Sequence, residues 1–194
     1  MKIYGVRHTE YINPEGVYAF HLPLQLSGKG RADALLIGKY LSPRLRGNTV
    51  VYSSPITRSV QTSEIIAAIT NSSVQVDERI TETSCPNLQG VIMSEQQSWK
   101  IEEDDPSREK KNSVLQRTLE FLAEKLIQEK EFVFVSHGDP LTLLHYHIQQ
   151  RQVPRYLWDP AMSEFVINRG EILEIQELGG KIISCNKINF HLLN

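Results

Sequence analysis

Three short runs with almost no polar residue constrain the fold most: Lys2-Ile3-Tyr4-Gly5-Val6, Thr49-Val50-Val51-Tyr52-Ser53 and Phe132-Val133-Phe134-Val135-Ser136. Runs of this kind suit parallel strands buried on both faces, where the alternation of a half-exposed strand is lost. Val74 to Asp77 can add a shorter strand near an edge. Between the runs lie helical patterns. Ser27-Gly-Lys-Gly introduces a helix over Arg31 to Leu41, with Ala34, Leu35, Ile37, Gly38 and Leu41 as its apolar face, and Ser42-Pro43 ends it. Pro55 opens a second helix, to about Thr70. A long amphipathic helix falls within Ser107 to Lys130, burying Val114, Leu115, Leu119, Leu122, Leu126 and Ile127. Asp139-Pro140 begins another, through about Gln150.

Strands alternating with helices predict an α/β domain: a three-layer α/β/α sandwich on a mainly parallel sheet, with right-handed crossovers. The tail alternates at Glu164 to Ile167 and at Ile172 to Leu178, with turn signals at Arg169-Gly170 and Gly179-Gly180, so it reads as a terminal antiparallel pair or meander. Residues 83 to 110 are the least regular part. They hold Pro86, Gly90, Pro106 and the acidic run Glu102 to Asp105, and read as a surface cover with room for one short helix. The 194 residues fit one domain, 1–194.

A net charge of -2 and a pI near 6.3 give no global basic field to recruit nucleic acid. Any anion site must therefore be local. No stretch approaches the ~18 uninterrupted apolar residues of a membrane span, and the start of the chain does not read as a signal peptide. The two cysteines, Cys85 and Cys185, lie far apart and lack metal-ligand spacing. They read as free thiols of a cytoplasmic protein.

In open α/β sheets, ligands collect outside the carboxyl ends of the strands. Those ends read Arg7-His8, then Ser53-Ser54-Pro55 with Arg58 one turn into the helix, then Asp77 leading towards Glu82, then Ser136-His137-Gly138. Each has an ordinary explanation alone: a solvated arginine, a structural histidine, an exposed carboxylate. Together they place two arginines, two histidines and a carboxylate on one rim. Phosphoryl transfer through a histidine needs such a set. Arginines stay protonated and match the oxygens of a phosphate dianion. An imidazole whose other nitrogen is held by a backbone carbonyl can attack phosphorus in line. A carboxyl group kept protonated can supply the leaving alkoxide with its proton. Protein cations neutralise the charge, so no cofactor and no metal is expected.

The same residues resemble the histidine phosphatase superfamily, the phosphoglycerate mutase-like proteins. Arg7-His8-Thr9-Glu10-Tyr11 is similar to the family's opening Arg-His-Gly-Glu/Gln-Thr, and Pro23-Leu24-Gln25-Leu26-Ser27-Gly28 to its Pro-Leu-Thr-x-x-Gly. Ser53-Ser54-Pro55-Ile56-Thr57-Arg58-Ser59-Val60-Gln61-Thr62-Ser63-Glu64 matches its Ser-Ser-Pro-x-x-Arg-Ala-x-Gln-Thr-Ala-Glu. Arg79-Ile80-Thr81-Glu82, followed by Leu88-Gln89-Gly90, resembles the stretch with the proton donor, and Ser136-His137-Gly138 the second-histidine motif. The resemblance implies His8 as nucleophile, Glu82 as acid and base, and Arg7, Arg58 and His137 around the phosphoryl group. It adds Gly138 and Asn13 as substrate contacts, Asn13 lying near a position where the family often has a phosphate-contacting Asn. Thr9 departs from the family's glycine, and Tyr11 stands where a small hydroxyl residue is usual.

The expected activity is metal-independent hydrolysis of small phosphomonoesters through phospho-His8. The alternatives are a mutase and a non-catalytic, phosphate-binding regulatory descendant. The short segment after Glu82 favours hydrolysis, because a shorter cover admits water. His145 and His147, two apart on a helix, face away from each other and read as core or surface residues. His21 is a candidate for the pocket entrance. The partner expected is a small phosphomonoester, with no nucleic acid and no membrane; the oligomeric state and the natural substrate stay open.

Overall fold

The computed structural model describes residues 1–46, 49–94, 98–128 and 131–189. Its centre is a six-stranded sheet of β1 (Lys2–Arg7), β2 (Val50–Ser53), β3 (Ser73–Val76), β4 (Phe132–Ser136), β5 (Ile172–Leu178) and β6 (Lys181–Ile188), in the order β3-β2-β4-β1-β5-β6. The first four strands in that order run parallel. β5 pairs antiparallel with β1, and β6 antiparallel with β5. The short strand expected at Val74 to Asp77 is the edge strand β3.

The apolar runs are continuous because both faces are covered. Phe132 and Phe134 point with Ile3 into a cluster closed by Phe121 and Leu122 of α4 (Lys111–Gln128) and Leu141 and Leu144 of α5 (Gly138–Ile148). Val133 and Val135 point with Tyr4 and Val6 to the other face, where Ile37 and Leu41 of α1 (Gly28–Leu41) meet Ile66 and Ala67 of α2 (Thr57–Thr70). Helices thus cover both faces, giving the three layers. The long helix starts at Lys111, and residues 129 and 130 of its expected span lie outside the described residues.

The joint between α1 and the segment after β1 is unusually close. Ser27 caps α1, accepting from Gly30 N at 3.0 Å while its hydroxyl donates to Glu10 Oε1 at 2.6 Å. A Cβ on Gly30 would stand 1.9 Å from Glu10 O, so only glycine fits.

The cover contains the one short helix it had room for, α3 (Ser98–Asp104), with residues 95–97 outside the described set. One expectation changes. Glu164 to Ile167 do not form a strand; Pro160–Phe165 is a 3₁₀ turn. The physical reason lies in where its backbone bonds go. Ile167 N donates to Thr142 Oγ1 at 3.1 Å, and Ile167 O accepts from Arg7 Nη1 at 2.8 Å, so side chains take the place of a ladder. Cys85 and Cys185 are both free and buried. No described helix is long and apolar enough to cross a membrane.

Candidate active site

The four parallel strand ends are tied together beyond the ladder itself. His8 N donates to Ser136 O at 2.9 Å, and Ser54 N to Val135 O at 3.0 Å. Asp77 N donates to Ser53 O at 2.9 Å, and Ser136 Oγ to Ile80 O at 2.7 Å, which anchors the segment leading to Glu82. A rigid rim therefore carries Arg7, His8, Ser54, Glu82 and His137.

His8 is buried, and its Nδ1 lies 2.8 Å from Thr9 O. A proton on Nδ1 satisfies that carbonyl and leaves the lone pair on Nε2. Arg58 Nε donates to this Nε2 at 3.0 Å. The same guanidinium donates through Nη2 to Phe20 O at 2.7 Å and reaches His137 Nδ1 at 3.3 Å. His137 in turn meets Ser54 Oγ through Nε2 at 2.7 Å. Burial pushes both imidazoles well below the usual histidine range, and Arg58 and Arg7 push His8 further. Both rings are neutral at pH 7.

Arg7 lies with its guanidinium 4.7 Å from the Trp158 ring centre, and its buried Nε has no hydrogen-bond partner among the described residues. Such an orphan donor fits an anion. Burial, then Arg169, pull its pKa down to about 10, which leaves it charged at neutral pH.

Glu82 accepts from Thr83 N at 3.0 Å, Gly138 N at 3.2 Å and Asp139 N at 3.4 Å. Burial raises its pKa, and the Asp139 carboxylate adds to this against Arg58 and Arg7. A carboxyl held above its normal range is a candidate proton donor. Asp139 is a hub. It accepts from Trp158 Nε1 at 2.7 Å, from Thr83 Oγ1 at 2.6 Å and from the Arg108 guanidinium.

Arg7, His8, Arg58 and Glu82 open onto one cavity of about 170 Å³, whose other walls include Tyr11, Tyr18, Glu102, Trp158 and Arg169. His137 stands behind Arg58, with its Nδ1 4.0 Å from Glu82 Oε2. A larger groove of about 790 Å³ runs along Lys2, Arg44, Glu131 and Ile183 at the opposite ends of the strands. It holds no histidine, so size is a poor guide here.

Two expected substrate contacts are placed differently. Gly138 N–H goes to Glu82, so it holds the carboxylate instead of facing the cavity. Asn13 donates to Val17 O at 2.9 Å and accepts from Val17 N at 3.1 Å, so both ends of its amide brace a loop whose Val17 lines the cavity, while Asn13 itself is not in the wall. Thr9 turns away as well. Its N and Oγ1 both lie 3.3 Å from Thr62 Oγ1 on α2. His21 Nε2 meets Glu82 O at 2.9 Å, beside the cavity and not in its wall. His145 Nδ1 meets Phe165 O at 2.9 Å, away from the site.

The polar wall residues Glu102, Asp139 and Arg169, and the rings of Tyr11 and Trp158, were not assigned to the site from sequence. Asp139 follows His137 so closely that the motif could have included it. Tyr11 stood out only as a departure from pattern. Glu102 lay in a charge run, and Trp158 and Arg169 sit on loops with no periodicity to mark them.

The model of the histidine phosphatase superfamily (branch 1) matches residues 3–186. The chain belongs to that superfamily. A 2,3-bisphosphoglycerate-dependent phosphoglycerate mutase of Thermoplasma acidophilum is 27% identical over 186 residues, covering 88% of this chain and 89% of that protein. Among solved structures, Bacillus stearothermophilus YhfR superposes with a TM-score of 0.78 at 24% identity, covering 93% of each chain. A mycobacterial glucosyl-3-phosphoglycerate phosphatase gives 0.73 at 20% identity, over 96% of this chain and 95% of that one. The alpha-ribazole phosphatase of Shigella flexneri gives 0.73 at 19% identity, over 94% and 93%. These likenesses establish a phosphoglycerate mutase-like fold.

Proposed function

We propose that the protein is a phosphatase that hydrolyses phosphomonoesters through a phosphohistidine at His8. The observation that carries this reading is the paired state of the two reacting groups. His8 is neutral with its lone pair on Nε2, and Glu82 is pushed towards its protonated form, on one cavity with Arg7 and Arg58.

In the first step, the His8 Nε2 lone pair attacks phosphorus as the ester P–O bond breaks. Glu82 gives its proton to the leaving oxygen, which departs as the alcohol. Arg7 and Arg58 take the equatorial oxygens, and Arg58 moves its Nε–H from the imidazole to the phosphoryl group as it does so. In the second step, the Glu82 carboxylate takes a proton from water, the oxygen attacks phosphorus and the P–N bond breaks. Inorganic phosphate leaves, with His8 neutral and Glu82 protonated again.

The test is hydrolysis of an aryl phosphate by the wild-type protein and by His8→Ala. Turnover that the substitution removes supports the reading, and equal rates in the two proteins would sink it. Glu82→Gln should slow release of alkyl alcohols far more than of aryl groups, which leave without much protonation. The 27% identity to a mutase supports a second reading, transfer back to another hydroxyl of the bound alcohol. Following isomer formation against phosphate release on a phosphoglycerate separates the two.

A further inference from the structure

We propose that Glu102 selects the leaving group, favouring phosphomonoesters whose alcohol carries an ammonium group, then neutral polyols, and discriminating against alcohols that carry a second anion. The proposal rests on the phosphatase reading above for the direction in which the alcohol lies. The acid must touch the ester oxygen, so the alcohol leaves past Glu82. Beyond Glu82 the cavity does not continue in cations.

The charge pattern of the two sides differs. On the phosphoryl side, Arg169 donates to Tyr11 OH at 3.1 Å, and both Arg169 and Arg58 lie over the Tyr11 ring, at 4.4 and 5.0 Å. The Tyr11 ring meets His8 at 5.4 Å. Arg169 also acts electrostatically on Arg7, Arg58 and His8, which sets it among the phosphate cations. On the side where the alcohol leaves, Glu102 enters the cavity wall from α3. Tyr18 fixes that helix by donating to Ser98 O at 2.8 Å.

Glu102 has company but no cation of its own. Arg108 donates to Glu102 Oε1 at 3.2 Å, yet the same guanidinium holds Asp139 and lies 3.5 Å from Glu103 Oε2. Lys111 pairs with Glu103 at 2.9 Å. Two cations thus serve three carboxyl groups; Glu102 and Asp139 both reach the cavity wall, and Asp139 is already held by Thr83, Trp158 and Arg108, which leaves Glu102 the less satisfied of the two. A ligand ammonium supplies the missing partner, a hydroxyl group can hydrogen bond, and a carboxylate or phosphate meets a second acid.

The groups around Glu102 agree with this. Asp139 of α5, Glu82, Arg108, Tyr18 and Cys85 all face it. Burial first, then Asp139, raise its pKa to about 8, with Arg108 opposing. Between pH 7 and 9 Glu102 therefore passes from mostly neutral to mostly ionised, while a phosphomonoester stays a dianion and a primary amine stays protonated.

The test measures affinity, so it does not depend on turnover. Phosphoethanolamine, glycerol 1-phosphate and phosphoglycolate are titrated calorimetrically into His8→Ala at pH 7 and 9, with and without Glu102→Gln. Phosphoethanolamine should bind more tightly than phosphoglycolate. Their affinity ratio should rise about five- to tenfold over that pH range, following the ionised fraction of Glu102. In the double variant the ratio should be smaller and independent of pH. Phosphoglycolate binding as tightly as phosphoethanolamine at pH 9 overturns the proposal, and so does a ratio that Glu102→Gln leaves unchanged. The pH series within the Glu102-containing protein stands even if the double variant fails to fold. Aryl phosphate turnover by the wild type tests the phosphatase reading separately. Selectivity without turnover would sink that reading alone, and turnover without selectivity would sink this one.

Discussion

The two walls of the cavity are built in different ways. The sheet wall carries Arg7 and His8 on strand ends that are bonded to one another, with Arg58 on the first turn of α2 and His137 behind it, so each side chain is placed by backbone the core already holds. The cover wall carries Glu102, Trp158 and Arg169 on a short helix and two loops. Its order comes from side chains, through Asp139 with Arg108, Trp158 and Thr83. On the proposed reading, the chemistry sits on the first wall. Choice among substrates can vary on the second without disturbing the first, because loops tolerate change that strand ends do not.

That contrast can be broken most sharply at Arg58. Arg58→Met should lower kcat on an aryl phosphate by roughly 10²–10³-fold, as for loss of one preorganised donor to transition-state charge. A loss below tenfold would mean that the sheet wall is no more critical than the cover.

Asp139→Asn comes next and joins the walls. It removes one of the three carboxylates that the Arg108 guanidinium meets and leaves Glu102 and Glu103, so about 2 kcal/mol of stability is expected to be lost in denaturant titration. The sign of its pH effect follows from Glu82. Arg7, Arg58, His137, Glu102 and Asp139 surround that carboxyl, and the Asp139 charge raises its pKa. Removing the charge lowers it, so the protonated acid is lost at lower pH. The alkaline limb of kcat on an alkyl phosphate should move to lower pH. A limb that stays in place would remove Asp139 from any control of the acid.

Gly30→Ala tests whether the sheet wall needs its backing. The new methyl must displace Glu10, two residues from His8, at an expected cost of about 1–3 kcal/mol. Thermal unfolding reads the stability, and kcat should fall with it. The smallest effect is expected at Arg169, which is exposed: Arg169→Gln should raise KM by less than about fivefold with kcat nearly unchanged. A tenfold fall in kcat would instead place it with the inner clamp.

The sheet wall was legible in sequence because its physics is local. A strand buried on both faces has to be continuously apolar, so Phe132 to Ser136 announces both the strand and the point where it ends. His137 then follows by adjacency. The cover wall was not legible, since nothing periodic marks Trp158 or Arg169, and their neighbours are set by contacts spanning the chain. Arg108 is 31 residues from the Asp139 it holds. Glu164 to Ile167 misled for a related reason. Their alternation is genuine, but the bonds at Ile167 go to the side chains of Arg7 and Thr142. Asn13 and Gly138 were placed near the phosphate by motif, whereas Val17 and Glu82 take their polar groups.

The bond from Arg58 to His8 has one more consequence. The nitrogen that would react is engaged as an acceptor from Arg58 Nε, so the protein keeps its own proposed nucleophile latched. What lifts the latch is negative charge enough to draw the guanidinium away. A neutral electrophile has no such hold, and its attack on His8 should quicken in Arg58→Met, measured as the rate of acylation of that ring. The site in effect inspects a visitor's charge before it exposes the atom that reacts.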